Sequence, residues 1–501
     1  MSIGSKVIRG GLLLLVGQFA VRAIRVGSLA VLGRLLAPSD YGVFALALVV
    51  TGLFDLLSDL QISAAIIRMR KVEDHHFDTA FLISFCRGLG VAAAVFFSAP
   101  LAAHLLGDVR LESMLRWLAL PPLIGAFTNP RFILYERDLN FKAEFSIVVI
   151  SSVLGTLLTI AFGLALRNYW ALVYGAICSS VINVAFPYFF VRYRPRFSTD
   201  AWREFLSFGG WLTLANLVSY INYRSDVVLV GRFLGDVKLG YYSMGDRISQ
   251  VATNELVQPF ARAFYPGLAT VAHDPQRLRA AYYKAQQVVL ALVLPVGVAT
   301  AIGAKQLVLL MAGPKWLPSV MMVQILAPLM ALSVMSSAVQ ALVMSAGTTR
   351  SIFIRNLVNL IVRVPMMVAG LWLGGLFGLI ISRAFTGMVF TFSTLALARG
   401  QTGDPFWQPF IFAWRSLAAT VLMAAAMLGA LALIGPESGA WYGAALHLAI
   451  LGAVGAPVYG LAHWAIWLLA GRPDGVEALL MQQVGNRMQA IRPAGETSGD
   501  S

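Results

Sequence analysis

Apolar runs of about 20 residues or more, each closed by charge or by Pro and Gly, recur along the whole chain. Since about 20 apolar residues cross a hydrocarbon core, they predict fourteen membrane helices. These lie roughly at 8–33, 42–67, 79–100, 113–135, 144–166, 170–191, 205–231, 240–261, 285–304, 318–345, 356–373, 376–398, 409–434 and 442–470. The first run, Ile8 to Gly33, is too long for a signal peptide, carries Arg22 and Arg25 and has no convincing cleavage site, so it is expected to stay as the first span. The second, third and eighth are amphipathic, with Asp55, Asp59, Arg87, Asp246, Arg247 and Glu255 inside them. A helix facing lipid all round does not tolerate such groups, whereas one lining a wet cavity does. Pro121-Pro122, Pro295, Pro328 and Pro365 are expected to interrupt their spans. No connection exceeds about 25 residues, which leaves no room for an extramembrane domain of about 50. After Arg472 the pattern reads as a short helix, Val476–Ile491, and a polar end.

Composition agrees with this layout. The 501 residues are 58% apolar and only 12% charged, and the mean hydropathy is +0.75. A soluble chain carries about a quarter charged residues, so a soluble enzyme, a disordered chain and a single-anchor receptor are excluded. The fold class is an all-α polytopic membrane protein. Its net charge of +14 would read as a nucleic-acid footprint in a soluble protein. Here the loops account for it, and no nucleic-acid partner is expected. With the N-terminus in the cytoplasm, cytoplasmic segments hold about 21 Lys and Arg and the opposite loops about seven. That bias puts both termini in the cytoplasm, as an even span number requires. Cys86 and Cys178 lie in apolar stretches and His75-His76 lacks a third ligand, so neither disulfide, metal nor cofactor is expected.

The chain also repeats itself. Gly33-Arg34-Leu35-Leu36-Ala37-Pro38-Ser39-Asp40-Tyr41-Gly42-Val43-Phe44 closes the first span, and Gly231-Arg232-Phe233-Leu234-Gly235-Asp236-Val237-Lys238-Leu239-Gly240-Tyr241-Tyr242 closes the seventh. Gly, Arg, Leu, Gly and an aromatic recur at one gapless offset of 198. Trp170-Ala171-Leu172-Val173 has a fainter counterpart in Phe377-Gly378-Leu379-Ile380. Six spans separate the copies, so both halves have the same orientation, as in transporters built from parallel repeats. The expected organisation is a six-helix lobe over 1–200, a second over 201–400 around a central cavity, a two-helix hairpin over 401–471, and a cytoplasmic tail over 472–501.

This motif, its weaker copy and the fourteen-span layout resemble bacterial polysaccharide flippases, the Wzx-type members of the multidrug/oligosaccharidyl-lipid/polysaccharide exporter superfamily. Leu134-Tyr135-Glu136-Arg137-Asp138-Leu139-Asn140-Phe141, after the fourth span, is similar to the colanic-acid-exporter branch. The resemblance covers about 1–400. It implies an inner-membrane transporter, not an enzyme, that flips a polyprenyl-pyrophosphate-linked oligosaccharide by alternating access, with a polymerase and chain-length machinery as possible partners beside membrane lipids.

Ten arginines fall inside spans. Arg116, Arg131, Arg383 and Arg415 lie near span ends, where long side chains snorkel. Arg22, Arg25 and Arg224 lie deep, and the offset puts Arg25 opposite Tyr223, next to Arg224. A planar, permanently charged fork suits phosphate oxygens. The candidate pyrophosphate contacts are therefore Arg22, Arg25, Arg224, Arg247 and Arg363. The acids Asp55, Asp59, Asp226, Asp246 and Glu255 either neutralise buried arginines or exchange a cation as the cavity alternates. Asp226 and Arg224, two apart, do not face each other on a helix. Arg34, Gly42, Arg232 and Gly240 form a candidate periplasmic gate, the alternative being plain turns whose glycines supply an unusual backbone angle. Gly370, Gly374 and Gly378 form a small-residue row across a tight hairpin. A cation-coupled drug antiporter would want an acid-dominated cavity. A membrane glycosyltransferase or polymerase would want a sizeable periplasmic loop, and the pattern has none.

Overall fold

The computed structural model describes residues 20–58, 62, 66, 72–137, 141–202, 210–271, 273–345, 349–435 and 441–472. The start of the first predicted span, Asp59, Asp138 to Asn140, and the tail helix lie outside them. Among the described residues the chain is helical throughout, with no strand. Among those residues, nine helices or helix pairs are long and apolar enough to cross a membrane by length and composition.

Local chemistry sets where the helices begin and stop. A helix over 20–35 ends at the first motif. Pro38–Leu57 then starts with Pro38 in its first turn, where the missing N–H costs nothing, and the Asp40 carboxylate accepts the Ala37 N–H at 2.9 Å. The Pro275–Ile302 helix begins in the same way: Pro275 follows Asp274, whose carboxylate accepts the N–H groups of Gln276 and Arg277 at 3.0 and 3.1 Å. Pro121 and Pro122 lie where the fourth predicted span breaks into Arg110–Leu118, Leu120–Gly125, a 3-10 turn Pro130–Phe132 and Ile133–Arg137. Pro295, Pro328 and Pro365 do not end their helices, which continue on both sides of each. The small-residue row lies on Thr349–Thr402, which folds back at Gly374-Gly375. There a Gly370 Cβ would stand 2.5 Å from the Gly378 carbonyl oxygen, and a Gly378 Cβ 2.0 Å from that of Gly370.

The chain forms two compact units. One comprises Met1–Gly245, Val308–Ser319 and Asn356–Arg383, the other Asp246–Leu307, Val320–Arg355 and Ala384–Ser501. In the first, Leu32, Leu36, Ala171 and Leu172 form a buried cluster closed by Tyr41, Phe44 and Phe162. In the second, Tyr282, Leu290, Met335, Leu342 and Leu395 belong to one buried cluster. These units are groupings by packing, whereas the offset of 198 is a relation between sequences.

Candidate functional site

Most of the expected site residues fall in the first unit, where the two motif copies meet. A Cβ added to Gly42 would stand 1.9 Å from the Asp236 carbonyl oxygen, and one added to Gly240 would stand 1.9 Å from that of Pro38. Asp236 is Pro38 displaced by 198, and Gly240 is Gly42 displaced by 198. The contact is thus reciprocal: each motif glycine receives the backbone of the other copy. Neither glycine has a positive φ. Their reason is space for a close approach, and the unusual-angle alternative does not apply to them.

Two clusters in this unit hold charged residues that the sequence singles out. In one, Arg87 reaches Asp55 at 3.6 Å and the Ser58 hydroxyl at 3.0 Å. Arg224 lies 5.6 Å from the Tyr223 ring centroid and adjoins the Tyr220 hydroxyl, which Asp55 also approaches. The same hydroxyl donates to the Val49 carbonyl at 2.9 Å. Arg22 is half-buried and Arg25 exposed on the helix over 20–35.

The second cluster surrounds Asp226, whose side chain is 2% exposed. Arg383 reaches its carboxylate at 2.9 Å and Arg363 at 3.6 Å. The Tyr242 hydroxyl donates to it at 2.5 Å, and the Val227 N–H at 2.8 Å. Arg383 also donates to the Tyr242 oxygen. One carboxylate thus faces two guanidiniums. A buried charge is tolerated only when matched and hydrogen-bonded, and here both carboxylate oxygens are engaged. The cluster ends a polar ladder between two helices. Asn356 donates to Ser219 at 2.9 Å, Asn222 donates to the Asn356 carbonyl at 2.7 Å, and Asn359 donates to Asn222 at 3.2 Å. Positions 219, 222, 226 and 356, 359, 363 share one i, i+3, i+7 spacing, so each set lines a single helix face. Paired in ascending order, the two helices run parallel.

Arg363 therefore sits with Asp226 and not with Arg224. Arg383, read from sequence as a snorkelling residue, is buried, and so is Arg415. In the second unit Arg247 is exposed and Asp246 accepts from Gln250 at 2.5 Å. The side chain of Glu255, like Asp59, is outside what is described. The same unit holds an apolar cavity of 440 Å³ lined by Pro295, Thr300, Met423, Met427, Leu451 and Tyr459.

Sequence reasoning gave no site role to Arg110, Lys315 or Ser319, and read Trp316 only as a sugar-stacking or interfacial aromatic. Arg110 grips Asp108 at 2.7 Å and also reaches Asp236 of the second motif. The Asp108 hydrogen bond, with a further contribution from Asp236, holds this guanidinium even further above neutrality than an ordinary arginine. Lys315, Trp316 and Ser319 touch both motifs. The ladder's periodic polar residues could have been found by their spacing. Nothing in the loop near 315 marks it out in the sequence.

Residues 31–321 match the family described as polysaccharide biosynthesis protein. The chain is 24% identical over 449 residues to the lipopolysaccharide biosynthesis protein WzxC of Escherichia coli (strain K12), covering 86% of this chain and 90% of that one. It is 23% identical over 304 residues to the succinoglycan biosynthesis transport protein ExoT of Rhizobium meliloti (strain 1021), covering 60% of each. Among solved structures, lipid II flippase MurJ in an inward closed conformation superposes with a TM-score of 0.70 at 12% identity, over 92% of this chain and 100% of that one. At that identity the likeness speaks for the fold: an all-α, multi-pass transporter fold. Its match over residues 31–321 places this chain in the polysaccharide biosynthesis protein family.

Proposed function

We propose that this protein moves a lipid-linked oligosaccharide from the cytoplasmic to the outer leaflet of the bacterial inner membrane, by alternating access between two lobes over 1–200 and 201–400. The carrying observation is the reciprocal contact of Gly42 with Asp236 and of Gly240 with Pro38. Two copies of one motif close on each other at one end, as an alternating-access transporter requires on its shut side. In this reading that end is periplasmic and Arg34, Gly42, Arg232 and Gly240 form the gate. In the same reading Arg22, Arg25 and Arg224 take the pyrophosphate. The hydrophobic tail stays in an apolar medium while the charged head crosses, so the protein has to supply cationic groups to the head alone. Asp55 and Asp226 are matched by Arg87 and by Arg363 with Arg383. That leaves a basic balance, which disfavours a cationic drug as substrate. A polymerase acting on the delivered lipid is the natural downstream partner.

The test is polymer export in cells. Arg25→Ala or Arg224→Ala should abolish export while the protein stays in the membrane fraction. Lys at either position should restore only part of it, because a point charge lacks the bidentate fork. Full export by the double Ala variant would reject the clamp.

A further inference from the structure

The motif hairpins do not hold together by their own contact alone. Two turns elsewhere in the first unit grip them, one holding the second motif and the other holding the first while also touching the second. Arg34 of the first motif donates to the Leu310 carbonyl at 2.7 Å, at the end of the Ala304–Met311 helix. In return Lys315 donates to the carbonyls of Arg34 and Leu36, at 2.9 and 2.6 Å, and the Trp316 indole donates to that of Gly33 at 2.7 Å. These carbonyls end the helix over 20–35, where an ammonium is favoured by the helix dipole. The Trp316 ring is fully buried and meets Tyr41 and Tyr241 edge-on, one from each hairpin, at 5.3 and 6.1 Å. Ser319 adds a hydrogen bond to the Tyr241 carbonyl at 2.8 Å.

At the second motif, Arg110 bridges Asp108 to Asp236. Arg232 lies against Gly107, with one guanidinium nitrogen 3.0 Å from where a Cβ would project. Arg34 lies against Gly313 through its Cγ methylene, 3.7 Å from the corresponding point. Arg232 is Arg34 displaced by 198. Gly107 and Gly313 both follow a helix end and both have positive φ, +79° and +93°, the left-handed conformation that glycine adopts without strain. Turn 107–110 follows the third predicted span and turn 312–319 the ninth, six spans later. The turn from each half of the sequence thus holds the motif hairpin of the other half, and turn 312–319 also touches Tyr241 in the hairpin of its own half.

We propose that turns 107–110 and 312–319 are a symmetric pair of braces that hold the motif hairpins shut, with Arg110 and Lys315 as gate residues that must let go before this end can open. The proposal rests on the alternating-access reading, since a static end would need no release. Two braces of the same design, one per half, allow both hairpins to part in a single step.

The test measures the hairpins directly and needs no substrate. Spin labels at Ala37→Cys and Val237→Cys, both exposed positions, are placed in protein carrying Cys86→Ser and Cys178→Ser and reconstituted in lipid nanodiscs. The unmodified braces should give one short distance. Removing a hydrogen bond to a charged group shifts an equilibrium by about tenfold or more. Lys315→Met or Arg110→Ala alone should therefore raise the long-distance population about tenfold, and the double variant should raise it further. Arg110→Asp combined with Asp236→Arg and Asp108→Asn, which reverses the bridge to the hairpin without setting two carboxylates together, should bring the short distance back, which a merely structural role would not predict. An unchanged distance distribution in the folded double variant overturns the proposal, as does a reversed pair that stays open. If the double variant does not fold, Lys315→Gln and Asp236→Asn are read singly by the same criterion. Hairpins that open on brace removal in a protein that exports no polymer would uphold the braces and reject the transport reading.

Discussion

The charge pairing at Asp226 decides what its neighbours can do. Its carboxylate accepts from Arg383, Tyr242 and Val227 N–H, with Arg363 alongside at 3.6 Å. A deeply buried acid in a transporter is first suspected of loading a cation. Here tethered guanidiniums occupy that role, and of the two sequence alternatives for this residue the geometry favours neutralisation of buried arginines. Taking away one member of such a group leaves buried charge unmatched, at a cost of about 3–5 kcal/mol. Asp226→Leu should therefore lower the unfolding temperature markedly in detergent. Adding Arg363→Met and Arg383→Met to it should recover part of the loss. A stable single variant would mean that the pair contributes little.

Among the elements, the close approaches are made by glycine faces. The fold-back at Gly374-Gly375 brings two stretches of the Thr349–Thr402 helix so near that a Gly378 Cβ would overlap the Gly370 carbonyl oxygen. Gly378→Leu has to push these stretches apart. Overpacking of this kind costs about 1–3 kcal/mol, and the hairpin carries Asn356, Asn359 and Arg363 on one arm and Arg383 on the other. Thermal unfolding should report the loss, and Gly374→Ala should be milder, because nothing lies near Gly374. Equal effects at both positions would show that flexibility, not space, is what these glycines supply. The parallel pairing of 219, 222 and 226 with 356, 359 and 363 gives the same lesson for polar faces. Each match depends on both helices presenting the same spacing at the same height.

For the whole molecule, family and fold lead to one class of protein, while the direction in the membrane follows from charge. About 21 cationic residues against about seven on opposite sides is a strong bias. Reporter fusions after Arg203 and after Arg399 should read as cytoplasmic, and after Lys238 as periplasmic. Reversal at any two of these sites would overturn the orientation, the parallel repeat and the placing of the gate together.

The helical, multi-pass class, the motif repeat and the family resemblance were all legible in the amino-acid sequence, because hydropathy adds up along a chain and a gapless offset needs no coordinates. Proline was the exception. The chain breaks around Pro121-Pro122 but runs through Pro295, Pro328 and Pro365, since packing decides whether a lost hydrogen bond ends a helix. Partner choice was decided by the tertiary structure alone. A side chain's partner depends on the rotational phase of two helices and on which helices meet, and neither is a property of a single run of residues. Arg383, near the end of an apolar stretch, looks like any snorkelling arginine until its helix is set beside Asp226. Lys315 reads as an ordinary loop charge until the turn that carries it is folded against the carbonyls of Arg34 and Leu36.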